Sequence, residues 1–177
     1  IYVTLGCYWG ECSFCSYVNI GNNEYKVQDV ITVVDQMEYL QKAYGTNEFR
    51  LITEALPPDY CESLADEILK RGLNLDFSSF LKVDRKITQA MLRKLKSAGL
   101  NEIEIGVETL NPRLLKLMRK GCTREMIVQQ MRWAQEEGIV VALSFIADFP
   151  TETKEESIQD AHDLYAMCDS NVDISVL

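Results

Sequence analysis

Four glycines, Gly45, Gly72, Gly99 and Gly138, each stand between a helix-like segment and a strand-like one. Glycine just past a helix enters the left-handed C-cap conformation without steric cost, so the four mark a repeated helix-to-strand junction. The segments before them carry a 3.6-residue apolar period. Val30, Val33, Val34, Met37, Leu40 and Tyr44 precede Gly45; Met91, Leu92, Leu95 and Ala98 precede Gly99, with Thr88 placed to cap. Later helices start at Asn111-Pro112, at Thr123, and at a capping box from Thr153 to Glu156, after which Ile158, Ala161, Leu164, Tyr165 and Cys168 stripe one predicted inner face. Strand candidates lie between, over residues 2–5, 49–53, 75–80, 103–107, 140–146 and 173–176.

A helix of about 10 to 15 residues is ~15–22 Å long, and a strand of five or six residues is about 17–20 Å. Such a helix returns the chain to the start of the sheet, which makes the strands parallel and the crossovers right-handed. Five strand-helix units and a sixth strand fit in 177 residues, whereas a closed eight-unit barrel takes about 250. The expected fold is α/β, a partial parallel (β/α)6 barrel, TIM-barrel-like and open. Residues 1–177 read as one core domain, a fragment of a longer protein. A doubly wound sheet is the rival, but no glycine-rich dinucleotide fingerprint follows the first strand.

Charge narrows the partners: 27 acidic against 18 basic residues give a net of −9, which repels phosphate backbones and anionic bilayers. Neither nucleic acid nor membrane is expected, and the apolar run 139–146 is far short of the roughly 20 residues a membrane helix needs. Six cysteines, at 7, 12, 15, 61, 122 and 168, crowd at one end instead of spacing evenly. That pattern suits thiols in a reducing, cytoplasmic setting better than a disulfide scaffold.

In a parallel α/β architecture the carboxyl ends of the strands carry the active face. There the run Gly6-Cys7-Tyr8-Trp9-Gly10-Glu11-Cys12-Ser13-Phe14-Cys15 puts three thiols on one loop, while Glu54, Glu108 and Asp148 stand at or near the ends of later strands. Three thiolates close together need a soft cation, either zinc or an iron-sulfur cluster. A structural zinc site wants a fourth ligand, and neither His162 nor the scattered Cys61, Cys122 and Cys168 forms a second close motif. Three ligands on one loop suit a cubane with one iron open to a chelating small molecule; a zinc-binding α/β module without catalysis is the alternative. Lys82 reads as solvent-facing, and Arg119 and Lys120 as cations answering a helix dipole. Tyr8, Trp9 and Tyr17 either stack on a base or shield the metal. Gly6 and Gly106 serve close backbone packing.

The cysteine loop resembles the cluster-binding loop of radical S-adenosylmethionine (radical SAM) enzymes, with Phe14 in the aromatic position before the last cysteine. The first gap is four residues where the family usually has three. The resemblance implies a 4Fe-4S cluster on Cys7, Cys12 and Cys15, whose open iron binds S-adenosylmethionine for reductive cleavage to a 5′-deoxyadenosyl radical. Ile52-Thr53-Glu54 falls where the family has Gly-Gly-Glu, which puts Glu54 on the methionine amine. Ile105-Gly106-Val107-Glu108-Thr109 puts Glu108 near the ribose, and Phe14 completes the implied cofactor contacts. Met118-Arg119-Lys120-Gly121 and Phe149-Pro150-Thr151-Glu152-Thr153 are similar to the branch often joined to a cobalamin-binding domain, with Asp148 and Thr151 where that branch often has glycine. A cobalamin-dependent methyltransferase, its cobalamin held by a domain outside these residues, is thus the alternative within the family. The resemblance also implies a peptide or small-molecule substrate and an electron donor such as flavodoxin or ferredoxin.

Overall fold

The computed structural model describes residues 1–16 and 25–167, and 172–176 as backbone; Tyr17 and Cys168 lie outside the described residues. In chain order the elements are β1 (Thr4–Leu5), β2 (Lys26–Val27), α1 (Val30–Tyr44), β3 (Glu48–Leu51), α2 (Pro58–Arg71), β4 (Asp76–Leu81) and α3 (Gln89–Ser97). β5 (Leu100–Glu108), α4 (Pro112–Leu117), α5 (Arg124–Glu136), β6 (Val140–Phe145), α6 (Lys154–Met167) and β7 (Val172–Val176) follow.

Strands β3 to β7 form a parallel sheet whose spatial order equals their order in the chain. The amino-terminal segment extends it by one: Tyr2 bridges Ile52 in parallel, and Val3 N–H donates to Ile52 O at 2.9 Å. A doubly wound sheet reverses direction at a switch point; this sheet never does. Successive right-handed crossovers then put every helix on the same face, as in a (β/α) barrel, and α1 packs on α2, α2 on α3, and α3 on α5.

The helix starts are satisfied as the side chains dictate. Asp29, Thr88, Asn111 and Thr123 accept backbone N–H groups at the heads of α1, α3, α4 and α5. Thr153 and Glu156 exchange reciprocal bonds of 2.9 and 3.2 Å before α6. All four junction glycines take positive φ. Gly99 is fixed twice over, since a Cβ there would collide with the Leu75 backbone.

The core lies between sheet and helices, with Leu64, Ile68, Phe77, Leu92, Leu95, Ile103 and Val141 each at most 1% exposed; a side chain of this size contributes about 1.5–3 kcal/mol when fully buried. The sheet is two-faced. Along β4 and β5, Phe77, Leu81, Ile103, Ile105 and Val107 are buried toward the helices, while Ser78, Glu102, Glu104 and Gly106 alternate onto the other, half-open face. Arg50 of β3 pairs there with Glu104. Parallel strands normally bury apolar residues on both faces; a polar concave face signals a cavity in place of a packed barrel interior.

Three expectations shift. The first strand is only the two-residue β1, paired antiparallel with β2, an edge ladder too short to leave a sequence pattern. Tyr44 is 73% exposed, beyond the buried arc Val33, Val34 and Met37. On α6, Ile158, Ala161 and Tyr165 face solvent, whereas Asp160 and Leu164 turn inward. The Asp160 carboxylate accepts from the Thr109 hydroxyl and from Leu110 N–H at 3.2 Å, which rotates the helix about its axis relative to the apolar stripe. Among the described residues no helix is long and apolar enough to cross a membrane.

Candidate active site

Strand ends place the site. The loop after β1 carries Cys7, Cys12 and Cys15 against the turn that follows α4. Ser13 N–H donates to Met118 O at 3.0 Å, Ser13 Oγ to Leu117 O at 2.8 Å, and Trp9 Nε1 to Arg119 O at 2.8 Å. Tyr8 reaches across to Asp84 after β4 at 3.2 Å. The turn itself must be lean at Gly121, because a Cβ there would run into the Trp9 ring.

Inside this frame lies a cavity of about 590 Å³ lined by all three thiols together with Phe14, Glu54 and Glu108. The six sequence-predicted site residues therefore meet in one space. Asp148 does not join them; it sits exposed on the turn after β6.

Glu54 follows β3, and partial burial raises its carboxyl above the usual range. Glu108 ends β5 at φ 66°, a left-handed backbone that swings its side chain back over Gly106. There Oε1 accepts from Lys120 Nζ at 3.0 Å, with both side chains buried. A Cβ on Gly106 would strike that same Oε1, so the glycine is the space the carboxylate occupies. The β5–β6 register shifts between Gly106 and Glu108, and Glu108 O accepts Ile146 N–H at 2.9 Å.

Two lysines correct the sequence reading. Lys82, expected in solvent, is 9% exposed; Nζ donates to Val83 O at 3.1 Å and sits 4.3 Å from the Trp9 ring centroid. Burial lowers its pKa. Lys120, expected merely to answer a helix dipole, is 7% exposed, paired with Glu108 and 5.8 Å from the Phe14 ring. A usable signal existed for Lys82: Phe77, Ser79 and Leu81 face the helices, so the two-residue period puts 78, 80 and 82 on the concave side. Lys120 left none, since its partner is 12 residues away across a turn. Burial raises the Cys12 thiol, and the Lys120 and Lys82 ammonium groups oppose that rise.

Phe14, on the cavity wall, is 37% exposed and meets Phe149 edge-on at a centroid distance of 6.3 Å. Cys61 is fully buried in α2 and pushed up to about 12 by desolvation, an inert core thiol. His162 is exposed on α6. Asp148 and Thr151, standing where glycine is common in the resembling branch, hold φ 61° and 76°; the backbone keeps a glycine-like path without the glycines.

A family model described as the Radical SAM superfamily matches residues 1–164. The chain belongs to the radical SAM superfamily. Among curated relatives, it is 25% identical over 148 residues to an uncharacterized methyltransferase of Pyrococcus horikoshii, covering 82% of this chain and 32% of that protein. It is 32% identical over 128 residues to the bacteriochlorophyllide d C-8(2)-methyltransferase of Chlorobaculum tepidum, covering 68% of this chain and 28% of that one. The chain thus spans about a third of the length of the curated relatives it matches. Its fold superposes on the radical S-adenosylmethionine methyltransferase TsrM of Kitasatospora setae, solved with cobalamin and a [4Fe-4S] cluster bound, with TM-score 0.86 at 22% identity over 99% of this chain and 36% of that one.

The donor set fits a cluster. The three thiols share the wall of a cavity large enough for a small molecule, the separate positions a cubane needs if each is to hold its own iron. Two buried ammonium groups stand by to offset thiolate charge.

Proposed function

We propose that this radical SAM chain holds a 4Fe-4S cluster on Cys7, Cys12 and Cys15 and binds S-adenosylmethionine against Glu54 and Glu108 for one-electron reductive cleavage to methionine and a 5′-deoxyadenosyl radical, which becomes 5′-deoxyadenosine on taking a hydrogen atom from a substrate or the solution. The observation that carries the proposal is the common cavity, in which three thiols from one loop and two carboxylates from two separate strand ends line a single space. When bound, the cluster supplies the electron and, through its open iron, a chelation point.

The chain's own residues do the rest. The Glu54 carboxylate has no ion-pair partner among the described residues and is available to an ammonium, a charge-assisted bond stronger than a neutral one. Glu108 spends one oxygen on Lys120 and turns the other toward sugar hydroxyls. Lys82 and Lys120 bring positive charge into a dry space where thiolates and the methionine carboxylate would otherwise repel. Phe14 offers an apolar wall beside the thiols, held edge-on by Phe149.

Methyl transfer is the finer reading, favoured by the methyltransferase names of the relatives and by the cobalamin bound in the TsrM structure; the cobalamin would sit in a domain outside these residues. Electrons come from a reduced flavodoxin or ferredoxin. Anaerobic reconstitution with iron and sulfide, then dithionite and S-adenosylmethionine, tests the core proposal. Product 5′-deoxyadenosine is expected from the wild type and not from Cys7→Ala/Cys12→Ala/Cys15→Ala; equal yields from both would overturn it.

A further inference from the structure

Helix α6 docks on the barrel fragment by a polar stripe. Elsewhere in the shell the inward positions are mostly apolar, as with Leu64, Ala65 and Ile68 of α2 or Ile127, Met131 and Ala134 of α5. On α6 they are Glu156, Asp160 and Leu164, spaced four apart, while Ile158 and Tyr165 stay exposed. Two carboxylates one turn apart on a helix repel each other, and burying a carboxylate is costly unless donors meet it. The arrangement therefore persists through what the two carboxylates hold.

Both hold the same stretch of chain. Asp160, 3% exposed, accepts from the Thr109 hydroxyl and from Leu110 N–H at 3.2 Å. Thr109 Oγ1 accepts in turn from Asn111 N–H at 3.0 Å. One turn earlier on α6, Glu156 accepts from Asn111 Nδ2 at 3.0 Å and from Arg113 Nε at 2.9 Å. Residues 109–113 are thus gripped from α6 at every position but Pro112, and they follow directly on Glu108, whose φ of 66° is a left-handed conformation that persists only where the surroundings impose it. Thr109 and Leu110 are fully buried. The donors that meet Asp160 are a hydroxyl and an amide, groups that fix position without neutralising charge.

We propose that Asp160 is a positioning residue for the cofactor ribose, acting through Thr109 and Leu110 to hold the Glu108 backbone in the conformation that lays its carboxylate over Gly106 on the cavity wall. The inference rests on the placement of Glu108 at the ribose given above. Lys120 fixes one oxygen of that carboxylate, and Asp160 fixes the chain that carries it. A support of this kind acts on affinity, since it orders the binding group before the ligand arrives.

The test measures S-adenosylmethionine binding to the full-length reconstituted protein without reductant, so that the ligand is not cleaved. Asp160→Asn is expected to weaken affinity about tenfold, the order of one lost hydrogen bond to a charged group, with iron content unchanged. Product formation at saturating S-adenosylmethionine, with dithionite added, should stay within about threefold of wild type. Thr109→Val should match Asp160→Asn, and Thr109→Ser, which keeps the hydroxyl, should bind as wild type does; this pair carries the test if Asp160→Asn does not fold. Toward an S-adenosylmethionine analogue lacking both ribose hydroxyls, wild type and Asp160→Asn should bind alike, because the contact that Asp160 supports is then gone. A lowered melting temperature with unchanged affinity, equal losses in Thr109→Ser and Thr109→Val, or the same penalty on the deoxy analogue would overturn the positioning role. Glu108→Ala without effect on affinity would overturn the placement of Glu108 at the ribose, and the inference with it. No binding by the wild type would overturn the proposed function itself.

Discussion

The helical shell and the rim of strand ends obey different rules. In the shell, glycine takes the left-handed positions at Gly45, Gly72 and Gly138, and short polar side chains cap the helix heads. Its charges include exposed ion pairs such as Lys86–Asp59. On the rim and the turns beside it, Glu108, Arg119, Asp148 and Thr151 hold positive φ without being glycine, and Lys82, Glu108, Thr109, Lys120 and Asp160 are buried. Non-glycine residues in that region cost of order 1–3 kcal/mol each and persist where surrounding structure over-determines them. The shell makes the molecule stable, and part of that stability offsets a strained, charged rim.

Breaking each side should separate the two. Cys12→Ala is expected to lower 5′-deoxyadenosine formation by more than about 100-fold, beyond the effect of losing an outer-shell partner, with the melting temperature of the metal-free protein nearly unchanged. Phe77→Ala is the counterpart in the shell: a loss of about 3–5 kcal/mol in denaturant unfolding, with iron bound per folded molecule unchanged.

Lys120→Met tests whether the rim is charged at the expense of stability. It strands the buried Glu108 carboxylate and should cost up to about 3–5 kcal/mol; adding Glu108→Gln should restore much of that loss, a non-additivity that a double-mutant cycle detects.

Two carboxylates sharpen the contrast through opposite signs with pH. Glu156, in the α6 capping box and bonded by Arg113, is pulled down to about 2. Its contribution is complete above the ordinary carboxylate value and is lost as pH falls toward 2, so Glu156→Gln is less stable at neutral pH and converges on wild type in acid. Glu54 is raised by burial. Its protonated form is the favoured one in the fold, so stability declines as pH rises from the ordinary value through the raised one, and Glu54→Gln should flatten that decline in urea melts from acid to neutral pH. The smallest effect belongs to Asp148→Gly. Relief of a left-handed backbone that aspartate tolerates fairly well, partly cancelled by glycine's unfolded-state entropy, should stabilise by about 0.5 kcal/mol.

What could be read from the residues in advance follows the same division. Shell features are local: a threonine caps an N–H three residues on, a glycine turns the chain where it stands, and Thr88, Thr123 and the four junction glycines behave accordingly. The thiol loop was equally legible because all three sulfurs fall within nine residues. The unread features are those whose cause lies far along the chain. Asp160 turned α6 inward because its partners, Thr109 and Leu110, are about 50 residues away, and an apolar stripe cannot register that pull. Lys82 is buried by Trp9, 73 residues earlier in the chain. Lys120 is buried by a carboxylate whose placement depends on a missing side chain at Gly106.

The most direct measurement is metal and sulfide content after anaerobic reconstitution of wild type beside the Cys7→Ala/Cys12→Ala/Cys15→Ala variant. About four iron and four sulfide per wild-type chain, and neither in the variant, is the expected result for a cubane held by these three thiols. One zinc per chain with no retained iron or sulfide would contradict it.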